Sequence, residues 1–246
     1  MRSSMVLTLA VLSIALPAAA AKPNACVSTE ESVEIVNLGP AITMSKAVAP
    51  KPETMSASSA AELAAIANVG QKIWKIVIDN KPVVDAKTQY ATALPKGVVD
   101  WSAMEGWKPA VGTVYQLKFK NAFCATVVDL RYQVLRTVGG SYKGKGQYLT
   151  AVVIEPLFVD VAWGYHVSVE ALVADESVVN VGTHDQPVAA MTAELAWHVS
   201  TPLKDMQGKS LYYMQGDGVY QELGGPFQRE DAFKTKIAKT LKETLP

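Results

Sequence analysis

The stretch FVDVAWGYHVSVE, residues 158–170, decides the class of fold. Val159, Val161, Trp163, Tyr165, Val167 and Val169 occupy alternate positions, with Asp160, Gly164, His166, Ser168 and Glu170 between them. A two-residue period sends one set of side chains to each face of a pleated strand, so the stretch reads as antiparallel sheet with one buried and one wetter face. The run Leu157–Val173 is far longer than the usual strand of about five or six residues. It must bend, carry bulges or change sheets near Pro156 or Gly164.

The same period recurs to either side. Tyr115, Leu117 and Phe119 alternate with Gln116, Lys118 and Lys120; Cys124, Thr126, Val128, Leu130, Tyr132 and Val134 follow, with Cys124 read as the start of a strand. Ala193, Leu195, Trp197 and Val199 repeat the pattern downstream, and Gly216-Asp217-Gly218 reads as a hairpin turn. The C-terminal two-thirds is a meander of strands.

Upstream the period lengthens. Ser59 and Glu62 have capping-box spacing, and Leu63, Ile66, Ala67, Gly70, Ile73, Trp74, Val77 and Ile78 recur at steps of three and four. This predicts a long amphipathic helix over 59–80, ended by Asn80-Lys81-Pro82. Residues 30–38 read as a short strand, and the stretch Gly39–Ser59, rich in Pro, Ser and Ala, as a linker. Phe233, Ile237, Leu241 and Leu245 suggest a short amphipathic C-terminal helix or tail over 227–246. The expected fold is therefore mainly β, α+β by strict count. It is either an antiparallel β-sandwich or one strongly curved sheet, with the long N-terminal helix packed against it.

The domain plan that follows has a signal peptide at 1–21, an N-terminal strand and linker at 22–58, the helix plus antiparallel domain at 59–226, and the tail. The first segment carries Arg2, an apolar run Met5–Leu16, Pro17 and the small residues Ala18–Ala21. That order matches an export signal, and the run is shorter than the roughly 20 residues needed to span a bilayer. No second run of that length follows, so no transmembrane segment is expected in the mature chain. A periplasmic location is expected first and an extracellular one second; none of the six Asn lies in an Asn-x-Ser/Thr sequon. In an oxidising compartment Cys26 and Cys124 are expected to pair, closing a loop of about 100 residues worth about 4–5 kcal/mol in the chain-entropy model.

Charge narrows the partners. The chain has 23 Lys+Arg and 23 Asp+Glu, and removal of Arg2 with the leader leaves 22 against 23. Such balance speaks against nucleic acid, which demands clustered positive charge. Gly139–Gly146 resembles a phosphate-binding loop, but the sequence that follows is strand-like where that motif requires a helix, so Lys143 and Lys145 are read as a wet hairpin loop.

Other chemistry is sparse. Trp101 and Trp107, with Asp100 and Glu105 beside them, form the candidate ligand-binding loop, because exposed Trp near an acid can stack sugars or cations. His166 and His198 lie on the wetter faces of two strands and are candidates for a metal or acid–base pair. No nucleophile elbow and no cofactor motif occurs. The reading is an exported, non-catalytic binding or envelope-structural module whose partner is an envelope protein, a glycan or an apolar ligand. One alternative is carriage of an apolar molecule between helix 59–80 and a curved sheet. Another is a hydrolase or metal enzyme built on His166 and His198.

Overall fold

The structure, a computed structural model, describes residues 31–41, 62–83, 89–98 and 101–223. The expected leader, Cys26, most of the linker, Asp100 and the C-terminal segment 227–246 lie outside the described residues. Thirteen strands among the described residues form two antiparallel sheets. The first runs β1 (Ser32–Pro40), β6 (Val111–Lys120), β7 (Thr126–Tyr142), β8 (Lys145–Val161), β5 (Ala91–Lys96) and β2 (Glu62–Ala67). The second runs β13 (Tyr220–Glu222), β12 (Asp205–Gln215), β11 (Ala189–Ser200), β9 (His166–Leu172), β3 (Ile73–Ile78) and β4 (Lys81–Pro82), with β10 (Val179–Asn180) also on β11. Both sheets turn one face to a single shared core. Alternation along the strands sets that face: Tyr115, Leu117 and Phe119 of β6 are buried, as are Leu195, Trp197 and Val199 of β11.

The long run around Gly164 divides. It leaves the first sheet at Val161, turns through Ala162–Tyr165 and enters the second sheet at His166. Gly164 has φ +83°, a left-handed conformation that glycine adopts without a Cβ clash. The turn reverses the expected burial of Trp163, which is 99% exposed. Further back, Leu157 bulges out where Arg131 pairs with Phe158 and Tyr132 with Pro156. The β7–β8 hairpin closes at Lys143-Gly144, both at positive φ, which matches the right-handed twist of the flanking strands.

The helix expected over 59–80 is replaced, from Glu62 on, by strands β2 and β3. The helical stripe required Ile73, Trp74, Val77 and Ile78 on one face. Instead Trp74, Ile76 and Val77 are buried while Ile73 and Ile78 stay about half exposed, at 57% and 49%. Three causes act together. Ile73, Ile76, Val77 and Ile78 are β-branched and lose little in a strand. Gly70 would weaken a helix interior by about 1 kcal/mol. Here Gly70 passes so close to β5 that a Cβ would lie 2.4 Å from the Tyr90 carbonyl oxygen. Asn68 fixes the link, its Oδ1 accepting from the N–H groups of Gly70 and Thr92, each at 2.9 Å.

With no helix there, the carrier cavity expected beneath it loses its lid. Buried side chains from both sheets pack in one hydrophobic cluster. Cys124 also departs from expectation: it sits in the turn Asn121–Ala125 at φ +59°, and β7 begins only at Thr126.

Tyrosines join the two sheets. Tyr115 and Tyr132 are cross-strand partners on β6 and β7, while Tyr212 and Tyr220 come from β12 and β13. The hydroxyls of Tyr132 and Tyr212 lie 2.6 Å apart, and those of Tyr115 and Tyr220 lie 2.9 Å apart. Tyr115 and Tyr212 rings meet at 4.9 Å. Arg136, buried, sits 3.7 Å over the Tyr220 ring and donates to Thr113 Oγ1 at 3.2 Å. Desolvation lowers the pKa of that guanidinium, and the facing aromatic ring offsets part of the cost of burying it. Elsewhere the indole N–H of Trp74 on β3 donates to the Ile154 carbonyl on β8 at 3.3 Å.

A hydroxyl pair shared between sheets has a measurable signature. Tyr132→Phe takes the Tyr132 hydroxyl away from the buried Tyr212 hydroxyl and is expected to cost about 1–3 kcal/mol. The double variant with Tyr212→Phe removes both hydroxyls and is expected to recover most of that loss. Urea unfolding of the three proteins checks this, and strictly additive losses would contradict it.

Candidate functional site

The outer face of the second sheet carries a trough of about 570 Å³. Four strands contribute to it through cross-strand register. Lys75 on β3 pairs with Glu170 on β9, Glu170 with Ala196 on β11, and Ala196 with Lys209 on β12. The next row along is Ser168, His198 and Gln207. Ser168 and Ala196 are short side chains among long ones, so the sheet is hollowed where they stand. The main chain of Gly208 adds to the lining.

The charges of the trough are matched in pairs. Lys75 donates to Glu170, and Lys209 Nζ lies 3.1 Å from Glu194 Oε2. His198 Nε2 lies 3.5 Å from Asp205 Oδ1. Two lysines against two glutamates leave the lining without net charge. Such partly exposed pairs add little to stability, about 0–1 kcal/mol each. They do hold donors and acceptors of both kinds in fixed places.

The two histidines fall on this same face but do not converge. His198 stands opposite Ser168, so His166 is its diagonal neighbour, roughly 7–8 Å away between Cα atoms. Each turns to its own carboxylate, His166 Nδ1 lying 3.2 Å from Asp79 Oδ1 in the β3–β4 turn. Glu170 and Glu194, the nearest acids in sequence, are engaged by lysines. Among the described residues no group of three His, Cys, Asp or Glu side chains is placed to hold a metal ion.

The Trp loop lies elsewhere, against the β7–β8 hairpin. Trp101 opens a short 3-10 turn, and the Trp107 indole N–H donates to its carbonyl at 3.3 Å. Both rings are half-buried and pack on the core. Gly140 makes room for Trp107, since a Cβ there would lie 2.3 Å from a ring atom. Glu105 is exposed, and its main chain pairs with Ser141. Lys143 and Lys145 are exposed at the hairpin tip, with Lys143 Nζ 5.3 Å over the Tyr142 ring.

Lys75, Ser168, Gln207 and Lys209 were missed from sequence as site residues. Ser168, Gln207 and Lys209 lie at outward positions of period-two runs, and Lys75 at an outward position of β3, in the stretch read as helix. Nothing in the local pattern tells which strands stand side by side. Comparison with known proteins finds no matching family model, no matching curated protein and no matching solved structure.

Proposed function

We propose that this chain is an exported, non-catalytic binding module of the cell envelope that holds a neutral, hydroxyl-rich ligand, an envelope glycan, in the outer trough of the second sheet. The observation that carries the reading is charge balance within a trough of ligand size. Its volume of about 570 Å³ falls within the range of roughly 300–1,000 Å³ typical of small-molecule sites. Lysine–glutamate pairs leave spare protons and lone pairs that sugar hydroxyls can meet, while presenting no net charge to select an ion. Gln207 adds a donor and an acceptor, and Ser168 a hydroxyl, on the same surface.

Export rests on the leader pattern at 1–21 and on the place of Cys124. Ser32 pairs with Lys120, so the chain enters β1 beside the turn that holds Cys124, and Cys26 is six residues before that entry. A Cys26–Cys124 disulfide would pin the chain ahead of β1 to the β6–β7 turn. Among the described residues no helix is long and apolar enough to cross a membrane.

Calorimetric titration with neutral β-1,4-linked N-acetylglucosamine oligomers tests the binding. Ala196→Trp fills the floor and is expected to weaken affinity at least tenfold without lowering the melting temperature by more than a few degrees. Failure of every oligomer to bind, or equal binding by the filled variant, would overturn the glycan reading. Intact mass of the protein recovered from the envelope tests the other part. Loss of residues 1–21 and of two hydrogens is expected; an uncut chain with two free thiols contradicts it.

A further inference from the structure

Three turns at one end of the two-sheet stack each lift a large apolar side chain into water. Phe123, in the β6–β7 turn, is 79% exposed; Trp163, between β8 and β9, 99%; Leu203, between β11 and β12, 98%. Register places these turns together. Val128 pairs with Val161, and the Ala162 N–H donates to the Val127 carbonyl at 2.8 Å, so the first two turns are neighbours. Ser200 pairs with both His166 and Asp205, which sets the third beside the start of β9. With strands about 4.8 Å apart and sheets about 10 Å apart, the tips occupy a patch roughly 10–15 Å across.

These turns are built, not loose. Asn121 Oδ1 accepts from the N–H groups of Phe123 and Ala125, each at 3.0 Å. The Tyr165 N–H donates to the Ala162 carbonyl at 3.1 Å, closing the turn around Trp163. Thr201 Oγ1 accepts from Leu203 and Lys204 at 3.3 and 3.0 Å. Rigid turns that hold apolar tips outward forgo the burial those side chains would gain against any apolar medium.

We propose that this end docks on a lipid bilayer, with Phe123, Trp163 and Leu203 entering the headgroup and upper acyl region. Separate convex tips suit a fluid that closes around each of them, whereas a rigid protein partner would need three matching pockets. Trp is the residue that settles best at the membrane–water boundary. The lysines near the tips are matched by carboxylates: Lys204 pairs with Glu31 at 2.8 Å and Lys120 with Glu34 at 3.7 Å. Docking is therefore driven by apolar insertion and does not depend on anionic lipid. The described chain also begins at this end, where Glu31 contacts the β11–β12 turn.

Sedimentation of the purified protein with phosphatidylcholine vesicles, and with vesicles also containing phosphatidylglycerol, tests this surface. Comparable binding to both is expected, with a blue shift of tryptophan fluorescence on binding. The variant Phe123→Ser/Trp163→Ser/Leu203→Ser is expected to bind at least tenfold more weakly and to unfold at an unchanged temperature. Trp163→Phe is expected to keep binding and lose most of the shift. No vesicle binding, unchanged binding by the triple variant, or binding confined to anionic vesicles would overturn the proposal. So would a wild-type dimer that the triple variant breaks, because the tips would then serve a second copy of the chain. These outcomes are independent of the trough.

Discussion

Contact between the inner faces of the two sheets is the constraint from which the rest follows. A sheet with one oily face has to cover it, and here each sheet covers the other. The contact is more than oil: Tyr132 meets Tyr212 and Tyr115 meets Tyr220 through their hydroxyls, so aromatic area is buried without orphaning a polar group. Arg136 joins the same cluster against the face of Tyr220. A backbone bond from the Gly139 N–H to the Gly216 carbonyl, 2.9 Å, ties the sheets together at the hairpin end.

Once the inner faces are committed to each other, the proposed functions fall to two of the surfaces that remain. One is the outer face of the second sheet, where Ser168 and Ala196 create the trough. The other is the end where the chain turns between strands, opposite the β7–β8 hairpin tip. Their chemistry differs. The trough offers matched charges and hydrogen-bonding groups at fixed spacing, while the turns offer apolar tips. A glycan held in one and a bilayer met by the other would describe a module working close to a membrane, and each assignment stands or falls by its own experiment.

Much of the sheet was legible from periodicity, because burial on one face writes an alternating code along a strand. β6, β11 and the middle of β7 follow that code. Two places defeated it. Over 62–78, steps of three and four drew a helical stripe, yet Trp74 and Ile76 also satisfy a period of two, and β-branching tips that balance toward strand. Around Trp163 the alternation ran unbroken through a turn, so an exposed ring read as core. The candidate sites fared according to how local they were. His166 and His198 were rightly placed on outer faces, but each meets its own Asp, Asp79 in the distant β3–β4 turn and Asp205 at the start of β12. Trp107 sits half-buried where Gly140, more than thirty residues away, leaves room for its ring. Register is a long-range property, and the trough exists only through register.

Ionisation of the buried tyrosines reads the central contact most directly. Desolvation raises the hydroxyl pKa of Tyr115, Tyr132, Tyr148, Tyr212 and Tyr220 above the ordinary value of 10, that of Tyr148 to about 12. A group whose folded pKa is raised contributes stability that is complete below its unfolded value and lost as pH rises through the folded one. Stability is therefore expected to hold up to about pH 10 and to fall above it, as the unfolded chain ionises first. In an alkaline titration followed by ultraviolet absorbance and circular dichroism, the tyrosinate signal of these five of the nine tyrosines is expected to appear only as the β signal disappears. If all nine ionise near pH 10 while the strands remain intact, the two sheets are not held together by this contact.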